Sequence, residues 1–253
     1  MELNLWLVFL LVLARITAFV ATAPLLSNRG IPPLTKIALG MGLAIVLTPF
    51  AGNPPLLELE TGVFVTLLVG EALMGLTLGI IANLIFTGIM VSGQMMDMSI
   101  GFAMSNLFDP ASQIQSTLIG RFLNIVALMM LLAMDGHHSL ILALGASFDL
   151  VPAAGIQMQL FPFEQIVKIF SGMFLLAFKM AAPVLAVIFV SEISLGLVAR
   201  TVPQLNVFIL GFPLKIGVGV LVLAITMPIM ALVLGNMISQ LERDLITIIG
   251  SFR

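Results

Sequence analysis

Long apolar runs, separated by short segments rich in Gly, Pro and polar residues, constrain this chain more than any other feature. An α-helix rises about 1.5 Å per residue, so about 20 apolar residues cross the roughly 30 Å hydrocarbon core of a bilayer. Spanning β-strands would instead give short segments of alternating hydrophobicity. The runs that are long enough to cross as helices lie at 3–26, 34–51, 61–91, 117–134, 164–199 and 207–238.

The composition points to the same class. Of the 253 residues, 60% are hydrophobic and 9% are charged, whereas soluble domains average about 25% charged residues. So few charged side chains cannot cover a surface in water, and we expect an all-α integral membrane protein built as a multi-helix bundle. The net charge is −2 and there is no basic patch, so we predict no nucleic-acid partner.

Three segments depart from simple crossings. We interpret the first run as a retained helix because it is too long for a signal-peptide core and lacks a basic start; a cleaved signal peptide is the alternative. Residues 139–151 are too short to cross, and we expect them to be re-entrant or to lie flat against the bundle. The run at 164–199 is overlong, so we expect it to tilt, to bend at Pro183 or to extend beyond the lipid.

Small residues mark positions where helices can pack closely. Gly75 and Gly79 form a GxxxG motif, and such motifs let helix backbones approach in lipid. Packing within the chain and contact with another subunit are both open interpretations. Further positions of the same kind are Gly40, Gly42, Gly88, Gly93, Gly217 and Gly219.

Charged residues interrupt the apolar runs. A charge at the bilayer centre costs about 2.5–3.5 kcal/mol on insertion scales, so a lipid-facing position is unfavourable. One interpretation is a proton or ion relay, as in an ion-coupled secondary transporter. The interpretation that we favour is pairing with opposite charges in this chain or on a neighbouring subunit. The residues concerned are Arg15, Glu71, Lys179, Glu192 and Lys215.

The chain offers little for catalysis. His137 and His138 are adjacent in a predicted loop, and we expect them to point in different directions without metal-ligand spacing. The sequence contains no Cys and no HExxH, GxSxG or phosphate-binding glycine motif. We therefore predict no catalytic residue, no cofactor and no metal site, and a protein that is not an enzyme.

Residues 97–110, DMSIGFAMSNLFDP, are too polar for a lipid-facing helix and too apolar for an ordinary surface loop. Asp109 before Pro110 can form the hydrogen bonds of a turn. Phe and Met side chains in a narrow lumen exclude water, which is one way in which channels close. The stretch is either such a seal or a simple connector between two helices.

Several longer motifs resemble those of one family. The most specific is SEISLGLVARTVPQLNVFILGFPLKIGVG at 191–219. Earlier in the chain, in the family's order, come TAPLLSNRGIPPLTKIALG at 22–40, GEALMGLTLG at 70–79, GFA and FDP within 101–110, and MDGHHSLI at 134–141. Together they are similar to the FliR family, the export-gate proteins of flagellar type III secretion, called SctT in injectisomes. MDGHHSLI and VPQLNVFILGFPLK favour a flagellar member.

The resemblance implies a core subunit of a protein export gate. FliR-like proteins join FliP-like and FliQ-like subunits, with an FlhB-like switch subunit at the base, in a channel for unfolded protein substrates. The assembly belongs to the bacterial inner membrane, at a flagellar basal body or injectisome base, and stands largely above the membrane plane. The chain itself would consist of a FliP-like part at 1–163 and a FliQ-like helical hairpin at 164–253.

The resemblance also assigns roles to single residues. A plug loop, at about 97–116 here, projects into the pore of the family's channel, and a hairpin turn at about 200–206 serves assembly. The positions that match the plug are Phe102, Met104, Leu107, Phe108, Asp109 and Pro110. The positions that match the turn are Arg200, Pro203, Gln204 and Asn206.

Overall fold

A computed structural model describes residues 2–28, 30–52, 54–56, 60–102, 117–156, 162–202, 204 and 206–252. Within these residues the chain forms seven α-helices and no strand, which confirms the all-α prediction. The helices are α1 (Glu2–Thr22), α2 (Pro33–Leu47), α3 (Thr61–Ile100), α4 (Leu118–Ala133), α5 (Gly136–Leu150), α6 (Phe163–Thr201) and α7 (Val207–Gly250). A short 3₁₀ helix, Thr48–Phe50, extends α2.

By length and composition, five of the described helices can cross a membrane: α1, α2 with its 3₁₀ extension, α3, α6 and α7. The number rises to six if α4 and α5 together make one broken span. These two helices meet at a bend of 70°. A bend of this size occurs both in a broken span and in a re-entrant loop, so the re-entrant or flat position of residues 139–151 stays a prediction.

Two helices run further than the apolar runs predict. The run at 61–91 continues as α3 to Ile100, and the run at 207–238 continues as α7 to Gly250. The end of α7 is amphipathic rather than uniformly apolar, with Leu241, Leu245 and Ile248 buried at helical spacing. A hydropathy pattern detects the apolar part of such a helix and misses its amphipathic end.

The predicted loop at about 97–116 begins too early. Residues 97–100 complete the last turn of α3, and the helix ends at Gly101. The φ angle of Gly101 is +106°, a conformation that a residue with a Cβ rarely adopts. Glycine at this position therefore allows the chain to leave the helix, and the segment after Phe102 lies outside the described residues until Thr117.

Packing divides the chain into two compact units. One consists of residues 1–85, 131–170 and 238–253, and the other of 86–130 and 171–237. Helices α3, α4, α6 and α7 each have residues in both units. The two parts that the resemblance implies, 1–163 and 164–253, describe likeness to other subunits rather than packing, and they stay a prediction.

In the first unit, the GxxxG motif of α3 packs against α1. A Cβ on Gly75 would overlap the backbone carbonyl of Arg15, and a Cβ on Gly79 would overlap the hydroxyl of Thr22. The core of this contact also includes Phe19, which is fully buried. For this motif the structure supports packing within the chain.

In the second unit, three glycines allow similar close approaches. A Cβ on Gly93 would overlap the backbone of Gly120, so α3 and α4 are in backbone contact. A Cβ on Gly219 would lie 2.5 Å from Ile100, and one on Gly88 would lie 2.7 Å from Met173. Other predicted contact glycines do not behave in this way: nothing lies within 4 Å of a Cβ on Gly42 or Gly217 in the described chain.

Candidate functional site

The candidate site is the base of the segment 101–117, where α3 ends and α4 begins. Asp97, in the last turn of α3, is 2% exposed. The N–H of Ile119 donates to both carboxylate oxygens of Asp97 at 3.1 Å, and the N–H of Gly120 donates to one of them at 3.4 Å. Since the first N–H groups of a helix have no partner within it, Asp97 caps α4 from a different helix.

The negative charge of Asp97 also suits this position. The N-terminus of a helix carries a partial positive charge, which stabilises a nearby carboxylate. The charge is thus buried next to N–H donors that need an acceptor. The same cap brings the start of α4 to the end of α3 and so holds the two ends of the 101–117 segment together.

Three glycines allow close packing at this base. The backbone contact between Gly93 and Gly120 brings α3 and α4 together about one turn before the cap. At Gly101 a Cβ would lie 2.9 Å from the ring of Phe212 in α7, so a larger residue would disturb both the turn and this contact. Asp97, Gly93, Gly101 and Gly120 together make a closely packed base at the two ends of the segment.

The predicted plug residues follow Gly101 in the sequence. Phe102 is the one that falls among the described residues, directly after Gly101 and partly buried. The other predicted plug residues lie outside the described residues: Met104, Leu107, Phe108, Asp109 and Pro110. The plug assignment therefore stays a prediction.

Arg15 and Glu71 form a fully buried ion pair between α1 and α3. The Nε of Arg15 donates to a carboxylate oxygen of Glu71 at 2.6 Å, and both side chains are 0% exposed. The other carboxylate oxygen of Glu71 accepts the N–H of Ala154 at 2.9 Å. Both oxygens of Glu71 therefore have protein donors.

The remaining donors of Arg15 reach α5 and the residue after it. Its Nη1 donates to the carbonyl and hydroxyl of Ser147 at 3.0 and 3.1 Å, and both Nη atoms donate to the carbonyl of Val151 at 3.1 Å. The ring of Phe148 lies 4.1 Å from the guanidinium carbon, a cation–π contact. Arg15 thus joins α1, α3 and α5 in one network. A buried charge is tolerated where such a network satisfies it.

Glu192 and Lys215 form a second pair, between α6 and α7. The Nζ of Lys215 lies 2.5 Å from a carboxylate oxygen of Glu192, with the two side chains 26% and 48% exposed. The contact joins the helices on either side of the predicted hairpin turn, so α6 and α7 run antiparallel here. In contrast to Arg15 and Glu71, this pair can still meet groups outside the chain.

Lys179 and Arg200 are exposed on α6, and no partner is seen for either within the described residues. For Lys179 the interpretation as a paired charge therefore depends on a neighbouring subunit. At the turn, Gln204 and Asn206 are exposed, and Asn206 accepts the N–H of Ile209 at 3.3 Å as a cap of α7. Pro203 lies outside the described residues.

The expectation that His137 and His138 point in different directions is wrong. Their ring centroids are 4.1 Å apart with the planes tilted by 36°. The sequence predicts a loop for both residues, whereas they lie in the first turn of α5, and rotation of the side chains brings the two rings together. Asp135 belongs to the same cluster, with an oxygen 3.4 Å from a nitrogen of His138.

An apolar groove of about 490 Å³ lies along α6 in the second unit. Its walls include Phe178, Ala182, Leu185 and Phe189, which recur every three or four residues on one face of the helix. Glu192 lies at the end of this row. Such a row is typical of a surface that accepts another helix.

Comparison with known proteins agrees with the motifs. Residues 6–241 match the model of a family described as bacterial export proteins, family 1. The flagellar biosynthetic protein FliR of Bacillus subtilis is 37% identical over 98% of both chains. FliR of Escherichia coli is 31% identical over 94% of this chain and 91% of its own length.

The chain belongs to the FliR family of bacterial export proteins. The resemblance that the motifs indicate is thereby confirmed. Because its relatives are FliR proteins, the chain is a component of the flagellar export apparatus. Its long apolar helices indicate that it is a membrane protein.

Sequence reasoning assigned no role to Asp97, although the residue opens the stretch DMSIGFAMSNLFDP. The available signal was a carboxylate at the end of an apolar helix, a position where it must find N–H donors. Which donors it finds depends on the approach of α4 at Gly93 and Gly120, and a linear sequence does not show that approach.

We expect the Asp97→Ala variant to lose about 1–3 kcal/mol of unfolding free energy, because the buried N–H of Ile119 would have no acceptor. Asp97→Asn keeps one acceptor oxygen, so its loss should be smaller. Thermal unfolding in mild detergent, with Asp149→Asn on an exposed site of α5 as the control, would measure both. An Asp97→Ala protein as stable as the unchanged chain would show that the cap contributes nothing.

Proposed function

We propose that this FliR-family chain is a core subunit of the flagellar type III protein export gate. In this proposal it joins FliP-like and FliQ-like subunits in a gated channel for unfolded proteins, with an FlhB-like switch subunit at the base. The channel lies in the bacterial inner membrane at the flagellar basal body and protrudes to the periplasmic side. The chain acts without catalysis, as a wall and gate of the channel.

One observation carries this proposal: the exposed apolar surface is longer than a bilayer is thick. Helix α6 has 39 residues, which corresponds to about 58 Å, whereas the hydrocarbon core is about 30 Å thick. Exposed apolar side chains occur from one end of α6 to the other: Phe163 is 73% exposed and Leu197 is 60% exposed. Lipid can cover only part of such a surface, so the rest needs protein partners.

The exposed charges on α6 support the same conclusion. Lys179 lies among exposed apolar residues such as Leu175 and Phe178. Because Pro183 has no N–H, the carbonyl of Lys179, four residues earlier, loses its intrahelical donor. This part of α6 therefore offers both a cation and a free acceptor. In an assembled gate, a carboxylate and a donor on a neighbouring subunit would pair with them.

The antiparallel α6 and α7 support the FliQ-like role of residues 164–253. The pair Glu192–Lys215 fixes their register, and Asn206 caps the second helix after the turn. In this proposal the apolar groove along α6 accepts a helix of an adjacent FliQ-like subunit. The residues 1–163 take the place of a FliP-like subunit in the same ring.

The base at Asp97 supports the plug proposal. A plug must stay in one place while its tip moves, and the cap on α4 with the contact of Gly93 and Gly120 supplies such a fixed base. In the resting gate, Phe102 and Phe108 would exclude water from the lumen, together with Met104 and Leu107.

The alternative of an ion-coupled transporter has less support. A relay residue must exchange protons with water, whereas Glu71 is fully buried and both its oxygens accept hydrogen bonds. The carboxylate of Glu192 is in an ion pair with Lys215. The arrangement favours structural roles for these carboxylates.

The pair Glu192–Lys215 allows a direct test of assembly. We expect Glu192→Lys or Lys215→Glu to prevent co-purification of FliP-like and FliQ-like subunits in mild detergent, because like charges would separate α6 from α7. The exchanged double variant restores the attraction and should restore co-purification. Normal assembly of both single variants with loss of export would favour a transport role for the pair.

We expect the gate with Phe102→Ser and Phe108→Ser to assemble normally but to leak small ions, because the lumen would hold water at rest. Removal of residues 102–108 should have the same effect. Ser112→Ala with Ser116→Ala, in the same segment, is the matched control. Conductance of the assembled complex in a planar bilayer measures the leak. Unchanged conductance in a correctly assembled variant would contradict the plug assignment.

A further inference from the structure

We propose a metal-binding site at the bend between α4 and α5, formed by Asp135, His137 and His138. One ligand atom from each residue lies within 4.8 Å of the other two. Two imidazole nitrogens and one carboxylate oxygen suit a first-row divalent ion, and zinc fits this donor set best. The proposed site is independent of the export role and is the opposite of the expectation that the chain has no metal site.

An unused buried nitrogen is the first observation that points to a ligand. The Nδ1 atom of His137 is buried and has no hydrogen-bond partner among the described residues. A buried polar atom without a partner costs free energy, so it calls for an explanation. A bound ion at this cluster would explain the unpartnered nitrogen. The ion would either take this nitrogen as a ligand or turn the ring so that the nitrogen meets a partner.

The behaviour of Asp135 is the second observation. It directly precedes α5, where an aspartate normally caps the helix through its side chain, yet it makes no capping hydrogen bond. Its backbone is in the left-handed region, with φ 56° and ψ 21°, which is uncommon for a residue with a side chain. The carboxylate is instead directed toward the Nδ1 of His138, 3.4 Å away.

One of the three distances between ligand atoms already suits a bound ion. Zinc binds nitrogen and oxygen ligands at about 2.0–2.2 Å, so the donor atoms of one tetrahedral site lie roughly 3.3 Å apart. The contact between Asp135 and His138 already has this separation. Both side chains are mostly exposed, at 76% and 65%, so they can rotate toward His137 and an ion can enter from solvent. Water would complete the coordination.

Charge also fits the site. A helix N-terminus repels a cation, and α5 begins at Gly136, so the two histidines alone would bind an ion poorly. The carboxylate of Asp135 offsets this repulsion. A bound ion would join the residue before α5 to the first turn of α5 and so stabilise the start of this helix.

The test uses the full chain, purified in mild detergent without a polyhistidine tag and stripped with EDTA. Titration with Zn²⁺ in a calorimeter should show one saturable site per chain. Removal of an outer-shell partner typically weakens metal binding about 10–100-fold, so removal of a direct ligand should weaken it at least ~10-fold. We expect this loss for Asp135→Asn, His137→Ala and His138→Ala, and no loss for Asp149→Asn at the other end of α5.

A second measurement needs no variant. Co²⁺ in place of Zn²⁺ should give the visible absorption of a nitrogen-ligated, low-coordinate ion rather than that of hydrated cobalt. Zinc affinity that is the same in all four variants, or a cobalt spectrum identical to that of the free ion, would overturn the site. Either result would leave the role of the chain in the export gate untouched.

Discussion

The length of the apolar helices governs the rest of this structure. Helices α3, α6 and α7 have 40, 39 and 44 residues, about twice what a bilayer requires, and exposed apolar side chains extend along them. Neither water nor lipid alone can cover such surfaces. In our proposal, partner subunits cover the rest of this surface, and the single chain is incomplete without them.

The charged residues of the helices fall into two groups, one buried within the chain and one exposed on its surface. Arg15 and Glu71 are satisfied entirely within the chain, in a network that joins α1, α3 and α5. Asp97 is likewise satisfied by the start of α4. Lys179 and Arg200, by contrast, are exposed on α6. The inner groups stabilise this subunit, and in our proposal the outer groups recognise its neighbours.

The sequence alone was sufficient for the helical class, because a run of 20 apolar residues has few alternatives. It was also sufficient for the family, through a motif as long as VPQLNVFILGFPLK. It was insufficient for the amphipathic end of α7, where Leu241 and Leu245 lie among charged residues. The partner of Arg15, the cap by Asp97 and the stacking of His137 on His138 depend on how distant segments or adjacent side chains approach, which composition and spacing do not determine.

Site-specific photo-crosslinking in cells tests the central claim most directly. A photoreactive phenylalanine analogue would replace Phe163 and Leu197 near the two ends of α6, and Phe189 in the groove. Val184, which is buried in the same helix and does not line the groove, is the control. We predict adducts with partner export subunits at all three exposed positions and none at Val184. Adducts with lipid alone along the whole of α6 would show that the surface is not covered by protein and would contradict the account.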